Sequence, residues 1–129
     1  MPVQDHRGLR VWQCSVDLAV AVYKVTDKFP VDQKFELSRQ MRRAAVSIPS
    51  NIAEGNGREH RREYLHFLSI ARGSTRELST HFELAKRLGF FSDTEASLLD
   101  EQLDHISRML QRLKARLTQA IPAPRSPLP

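Results

Sequence analysis

From Tyr64 to Leu117 the chain keeps a helical spacing of four and three almost without a slip, and that pattern settles most of what it can fold into. Tyr64, Leu68, Ala71, Thr75, Leu78, Phe82 and Ala85 share one face of a helix expected over about residues 59–88, closed by Gly89. Leu99, Leu103, Ile106, Leu110, Leu113 and Leu117 repeat the spacing in a further helix. Ser92-Asp93-Thr94-Glu95 opens that helix as a capping box, in which Ser and Glu each take a backbone amide of the other's turn. Its acids (Asp93, Glu95, Asp100, Glu101, Asp104) come early and its bases (Arg108, Arg112, Lys114, Arg116) late, as the helix dipole favours.

Two earlier blocks read as helices as well. In the first, from about Leu9 to Lys28, Trp12, Val16, Ala19, Tyr23 and Thr26 lie on one face, and Leu18, Val22 and Val25 form a second stripe beside it. A helix apolar on two sides needs two partner surfaces. Phe29-Pro30 ends it, because the residue before proline is pushed out of the α region. The second block is expected to start near Asp32 as N-cap, with Leu37, Met41, Ala44 or Ala45, Ile48 and Ile52 buried. Pro49 predicts a kink or a lost hydrogen bond near Ala45, and Gly55 or Gly57 is available for a left-handed C-cap.

Four such helices on short loops predict an all-α, antiparallel up-and-down four-helix bundle over residues 1–119. Residues 120–129, AIPAPRSPLP, have no apolar periodicity and are expected to be a disordered Pro-rich tail. With 129 residues, one domain is the expectation from size. No apolar run reaches the ~20 residues of a membrane span, and the charged N-terminus lacks the plan of a signal peptide. Cytoplasmic location is therefore expected. The lone Cys14 rules out an intramolecular disulfide.

The formal net charge is +5, and it is unevenly placed. Residues 34–62 carry seven bases against three acids, while every other stretch is near balance. Arg39, Arg42 and Arg43 share a helical face, and Arg58, Arg61 and Arg62 gather at the next helix start. Guanidinium forks and free helix N–H groups both favour anions, so these six arginines are the candidate phosphate contacts of a sequence-independent nucleic-acid surface. The alternative is a solvated face, its arginines paired with Glu36, Glu54 and Glu59 or across a subunit interface.

No catalytic or cofactor site emerges. The five histidines lack metal spacing, and the glycine patterns of phosphate and dinucleotide loops are missing. No metal, no cofactor and no enzymatic activity is expected. The polar run Ser47-Ile48-Pro49-Ser50-Asn51-Ile52-Ala53-Glu54-Gly55 reads as structural: Ser47 and Asn51 satisfy backbone groups freed by Pro49, and Glu54 bridges to an arginine. A nuclease working through Asn51, Glu54 and His60 is the catalytic rival. Phe90-Phe91 either stacks bases or seals the bundle end. Gly73, deep in the third helix, costs up to about 1 kcal/mol relative to alanine unless another backbone approaches it.

The stretches SRQMRRAAVSIPSNIAEGNGR, EYLHFLSIARGSTREL and LAKRLGFF, with VWQCSVDLAVAVY and KFP upstream, resemble the 23S rRNA intervening sequence proteins over roughly residues 9–117. The motif residues that carry the likeness include Ser47, Pro49, Asn51, Glu54, Gly55 and Gly73. The resemblance implies a bacterial four-helix bundle with no enzymatic activity, assembled as a homo-oligomer, a pentamer in related proteins. It is also similar to the accessory variability proteins of diversity-generating retroelements, which bind nucleic acid and a reverse transcriptase. The resulting expectation is an oligomeric scaffold that binds RNA, DNA or a ribonucleoprotein. The alternative is a protein-interaction adaptor, for example for a reverse transcriptase, without nucleic-acid contact.

Overall fold

A computed structural model describes residues 5–33 and 36–120. Among them are four α-helices and no strand: α1 (Arg10–Thr26), α2 (Leu37–Asn56), α3 (Arg61–Arg87) and α4 (Asp93–Gln119). Short 3₁₀ turns stand at His6–Gly8 and Val31–Gln33. Each helix packs on its chain neighbours, α2 on α3 most extensively, and α1 closes the bundle against α4. The Pro-rich stretch begins just past the α4 cap at Ala120, and its residues 121–129 lie outside the described ones.

Periodicity holds best in α3 and α4. Leu68, Ala71, Thr75, Leu78, Phe82 and Ala85 are buried, as are Leu99, Leu103, Ile106, Leu110 and Leu113. Ser92 Oγ accepts the Glu95 amide at 3.1 Å and the Ser92 amide donates to Glu95 Oε1 at 3.0 Å, completing the capping box. At the end of α3, the Phe90 amide bonds the Ala85 carbonyl and the Gly89 amide bonds that of Lys86. Gly89 takes φ 78°, the one positive φ among the described residues, as this C-terminal motif requires. Phe29 then meets Phe90 and Phe91 at 5.2 and 5.5 Å, and Phe91 meets Phe82 at 5.9 Å. The phenylalanine pair seals the bundle end.

In α1 the core draws on both stripes, Ala19 and Thr26 from the first and Leu18 and Val22 from the second. Val11, Ser15, Leu18, Val22 and Thr26 face the core, while Tyr23 of the first stripe is 47% exposed and Trp12 and Val16 are half-buried. Hydropathy passes over this face because it contains two hydroxyls. Ser15 Oγ donates to the Trp12 carbonyl at 2.8 Å and Thr26 Oγ1 to that of Val22 at 2.7 Å, so neither is buried unsatisfied.

Helix α2 departs most from expectation. It begins at Leu37, and Asp32 lies instead in the 3₁₀ turn before it. The helical span continues through the buried Pro49 without interruption. Gly57 caps it at φ −79°, so no left-handed C-cap forms. Gly55 stays inside the helix for a packing reason. A Cβ there would lie 2.8 Å from Phe67 Cβ, 2.9 Å from Tyr64 Cδ1 and 3.2 Å from the Tyr64 carbonyl oxygen. Gly73 has no such neighbour: nothing stands within 4 Å of its would-be Cβ, so close approach within the chain does not explain it.

Candidate nucleic-acid interface

The first three candidate arginines stand one turn apart on α2, whose spacing puts Arg39, Arg42 and Arg43 along one side of a groove. Tyr23 and Val46 line it from the apolar side, with Ser47, Ser50 and Asn51 further along. Among the described residues no carboxylate lines the groove. The three arginines are not equivalent. Arg42 is half-buried: its Nε donates to Thr26 Oγ1 at 2.8 Å, its Nη2 to the Tyr23 carbonyl at 3.3 Å, and its guanidinium lies 4.6 Å from the centre of the Tyr23 ring. Arg42 therefore ties α2 to the end of α1. Arg39 and Arg43 are exposed and hold no hydrogen bond or ion pair among the described residues.

The other three arginines belong to a different place. From Arg43 to its last residue, Asn56, α2 runs about 20 Å at 1.5 Å per residue, and Arg58 lies beyond that end. Arg58 donates to Glu54 Oε1 at 2.7 Å, lies 4.0 Å from Glu63 and sits 4.8 Å over the Phe67 ring. Arg61 donates to the Ala120 carbonyl at 2.8 Å, closing the start of α3 against the end of α4. Arg62 is exposed and unpaired among the described residues. The six arginines thus form two groups rather than one surface, and in each group at least one guanidinium has a structural task.

The polar run around Pro49 is also organised differently from its sequence reading. Asn51 Nδ2 donates to the Ser47 carbonyl at 2.8 Å and to Ser47 Oγ at 3.0 Å, and Ser47 Oγ meets Ser74 Oγ at 2.8 Å. None of these bonds reaches Ala45, whose carbonyl loses its donor to Pro49. The network stitches α2 to α3 instead of repairing the proline site. Glu54 does bridge to an arginine, Arg58.

Tyr23 is the residue of the first α1 stripe that turns outward and lines the groove. Its signal lay in the mismatch between a helix apolar all round and a bundle with one core. Tyr64, at the other end, is half-buried, and burial pushes its phenol above the usual range although Asn56 donates to it at 3.3 Å. Among the described residues no group of three or more His, Cys, Asp or Glu converges to hold a metal. No helix among them is long and apolar enough to cross a membrane.

The family model described as 23S rRNA-intervening sequence protein matches residues 7–112, which takes in α1, α2, α3 and most of α4. The chain belongs to that family. Among solved structures, a protein of unknown function from the S23 ribosomal protein family of Bacteroides thetaiotaomicron aligns with a TM-score of 0.76. It is 24% identical, and the match covers 81% of this chain and 95% of that one. That likeness is one of fold. No curated protein matches the chain.

Proposed function

We propose that this member of the 23S rRNA-intervening sequence family is a non-enzymatic, homo-oligomeric scaffold that binds RNA or DNA, free or in a ribonucleoprotein. The observation that carries the reading is the groove on α1 and α2, where Arg39 and Arg43 are exposed, unpaired and without a lining carboxylate. Guanidiniums in that state exchange mobile counterions for phosphates, which binds backbone without reading sequence. Arg62 extends the contact at the start of α3; Arg42, Arg58 and Arg61 already hold bonds within the chain and offer only their remaining N–H donors. A cytoplasmic setting goes with this reading, since a bacterial cell keeps its RNA there.

The bundle we propose is antiparallel and up-and-down, in keeping with the Phe29–Phe90 contact at one end and the Arg61–Ala120 bond at the other. Self-assembly, into the pentamer that the family resemblance implies, would cover the exposed Val20 of α1.

The test is a light-scattering mass together with salt titrations of a single-stranded RNA and a duplex DNA. A multimer with a steep salt slope, flattened in the Arg39→Ala/Arg43→Ala variant, is the expected result. A multimer that ignores both nucleic acids overturns it in favour of a protein adaptor, for which an acidic partner would occupy the same groove.

A further inference from the structure

The count that balances residues 92–129 hides how α4 distributes its charge. Arg112 and Arg116 fall in its second half and, with His105 near its middle, line one groove with Arg10 from the first turn of α1. All four side chains are exposed, and the three arginines hold no hydrogen bond or ion pair among the described residues. No carboxylate lines the groove, and the first turn of α1 adds none. The α3–α4 groove differs in its lining, where Arg72 and Arg76 stand beside Glu83, Asp100 and Asp104. Arg108 differs too, pairing with Asp104 one turn away.

Between the guanidiniums lie Leu9, Val11, Met109 and Leu113, of which the last three are at least nine-tenths buried. They expose too little surface to seat an apolar ligand. What they supply is a floor that water does not penetrate, over which a guanidinium–oxyanion pair is stronger than on an open surface. Among the described residues the one ring that lines the groove is the His105 imidazole, so a bound strand would be held chiefly by its phosphates.

We propose that this groove is a binding site for phosphate oxyanions, separate from the α1–α2 groove and about 20 Å from Tyr23 along α1. Arg112 and Arg116 contribute forked donors from α4, Arg10 closes the other side, and His105 adds an imidazole at the rim. A phosphodiester backbone and a free oligophosphate present the same chemistry to these groups.

Inorganic tripolyphosphate is the probe, titrated calorimetrically at low salt into the full chain and into three double variants. The expected result is saturable binding, weakened about tenfold in Arg112→Ala/Arg116→Ala, which is what losing two exposed charge contacts removes. Arg87→Ala/Arg108→Ala, which removes two arginines already paired with Glu83 and Asp104, leaves that binding within about twofold, and Arg112→Lys/Arg116→Lys recovers part of it. Far-UV circular dichroism and thermal midpoint show that each variant is folded. Absent binding, or an equal loss in both alanine variants, overturns the site. A parallel titration with labelled single-stranded RNA names the source. A smaller salt slope in Arg112→Ala/Arg116→Ala identifies a strand backbone, and an unchanged slope beside weakened tripolyphosphate identifies a free oligophosphate. Repeating the tripolyphosphate titration in the Arg39→Ala/Arg43→Ala background disables the α1–α2 groove, so binding that remains there and is lost with Arg112→Ala/Arg116→Ala belongs to this groove, and each proposal fails on its own measurement.

Discussion

Gly55 and Phe67 bring α2 and α3 to a separation that admits no Cβ on the α2 side: one added at residue 55 would lie 2.8 Å from the Cβ of Phe67. That atom belongs to the base of its side chain, and the Tyr64 carbonyl closes in at 3.2 Å, so rotamer changes do not relieve the overlap. Gly55→Ala is expected to destabilise the fold by about 1–3 kcal/mol, read as a lower urea midpoint at unchanged slope.

Gly73→Ala is the matched opposite. Its would-be Cβ meets nothing within 4 Å, so alanine is expected to stabilise the chain by up to about 1 kcal/mol. In an assembly that places another subunit's backbone against this stretch of α3, the same substitution lowers the scattering mass. A stabilised protein with unchanged mass clears Gly73 of any interface role.

Arg42 and Arg43 are neighbours in sequence with different work. Arg42→Ala removes the bonds to Thr26 Oγ1 and the Tyr23 carbonyl and the contact over the Tyr23 ring, and is expected to cost about 1–2 kcal/mol of stability. Arg43→Ala is expected to change stability by less than about 0.5 kcal/mol while weakening nucleic-acid binding. Equal thermal midpoints for the two variants would contradict this division.

His81 gives the fold an acid sensitivity. It is buried, its Nδ1 has no partner, and Glu77 lies 3.8 Å from Nε2. Burial holds the imidazole below the ordinary 6.5, and Glu77 offsets this only in part. The unfolded chain therefore accepts a proton that the folded chain resists, and stability falls as pH drops through about 6.5, with no contribution above it. Denaturation midpoints of the wild type should fall more between about pH 7.5 and about pH 5 than those of His81→Gln. Parallel pH profiles would sink the assignment.

Ser92→Ala removes the acceptor for the Glu95 amide at the start of α4 and is expected to cost about 0.5–2 kcal/mol. Burial is slight here, so a thermal midpoint is enough to read it. No change in that midpoint would mean the capping box is replaceable by water.

These cases show where the sequence was legible. In α3 and α4 the apolar face is narrow, so spacing picks the buried residues without ambiguity. In α1 it is wide, and choosing the core face depended on Ser15 and Thr26, whose hydroxyls are satisfied by backbone carbonyls one turn back. Gly55 read as a helix end because glycine's conformational freedom and its lack of a side chain give the same letter, and only the position of Tyr64 and Phe67 separates them. The candidate site was legible as charge and not as geometry. Counting found the arginines of α2, but no count shows that Arg42 and Arg61 are engaged within the chain. The bases of α4 escaped because acids earlier in the same helix cancelled them.

That cancellation is one of number, not of position. The five acids of α4 lie between Asp93 and Asp104 and its four bases between Arg108 and Arg116, their centres about 20 Å apart along a single rod. A rod charged oppositely at its two ends feels a torque in an external field even when its net charge is zero. In the field of any polyanion α4 would turn its Arg116 end forward before contact, so part of the orientation of an encounter is set during approach.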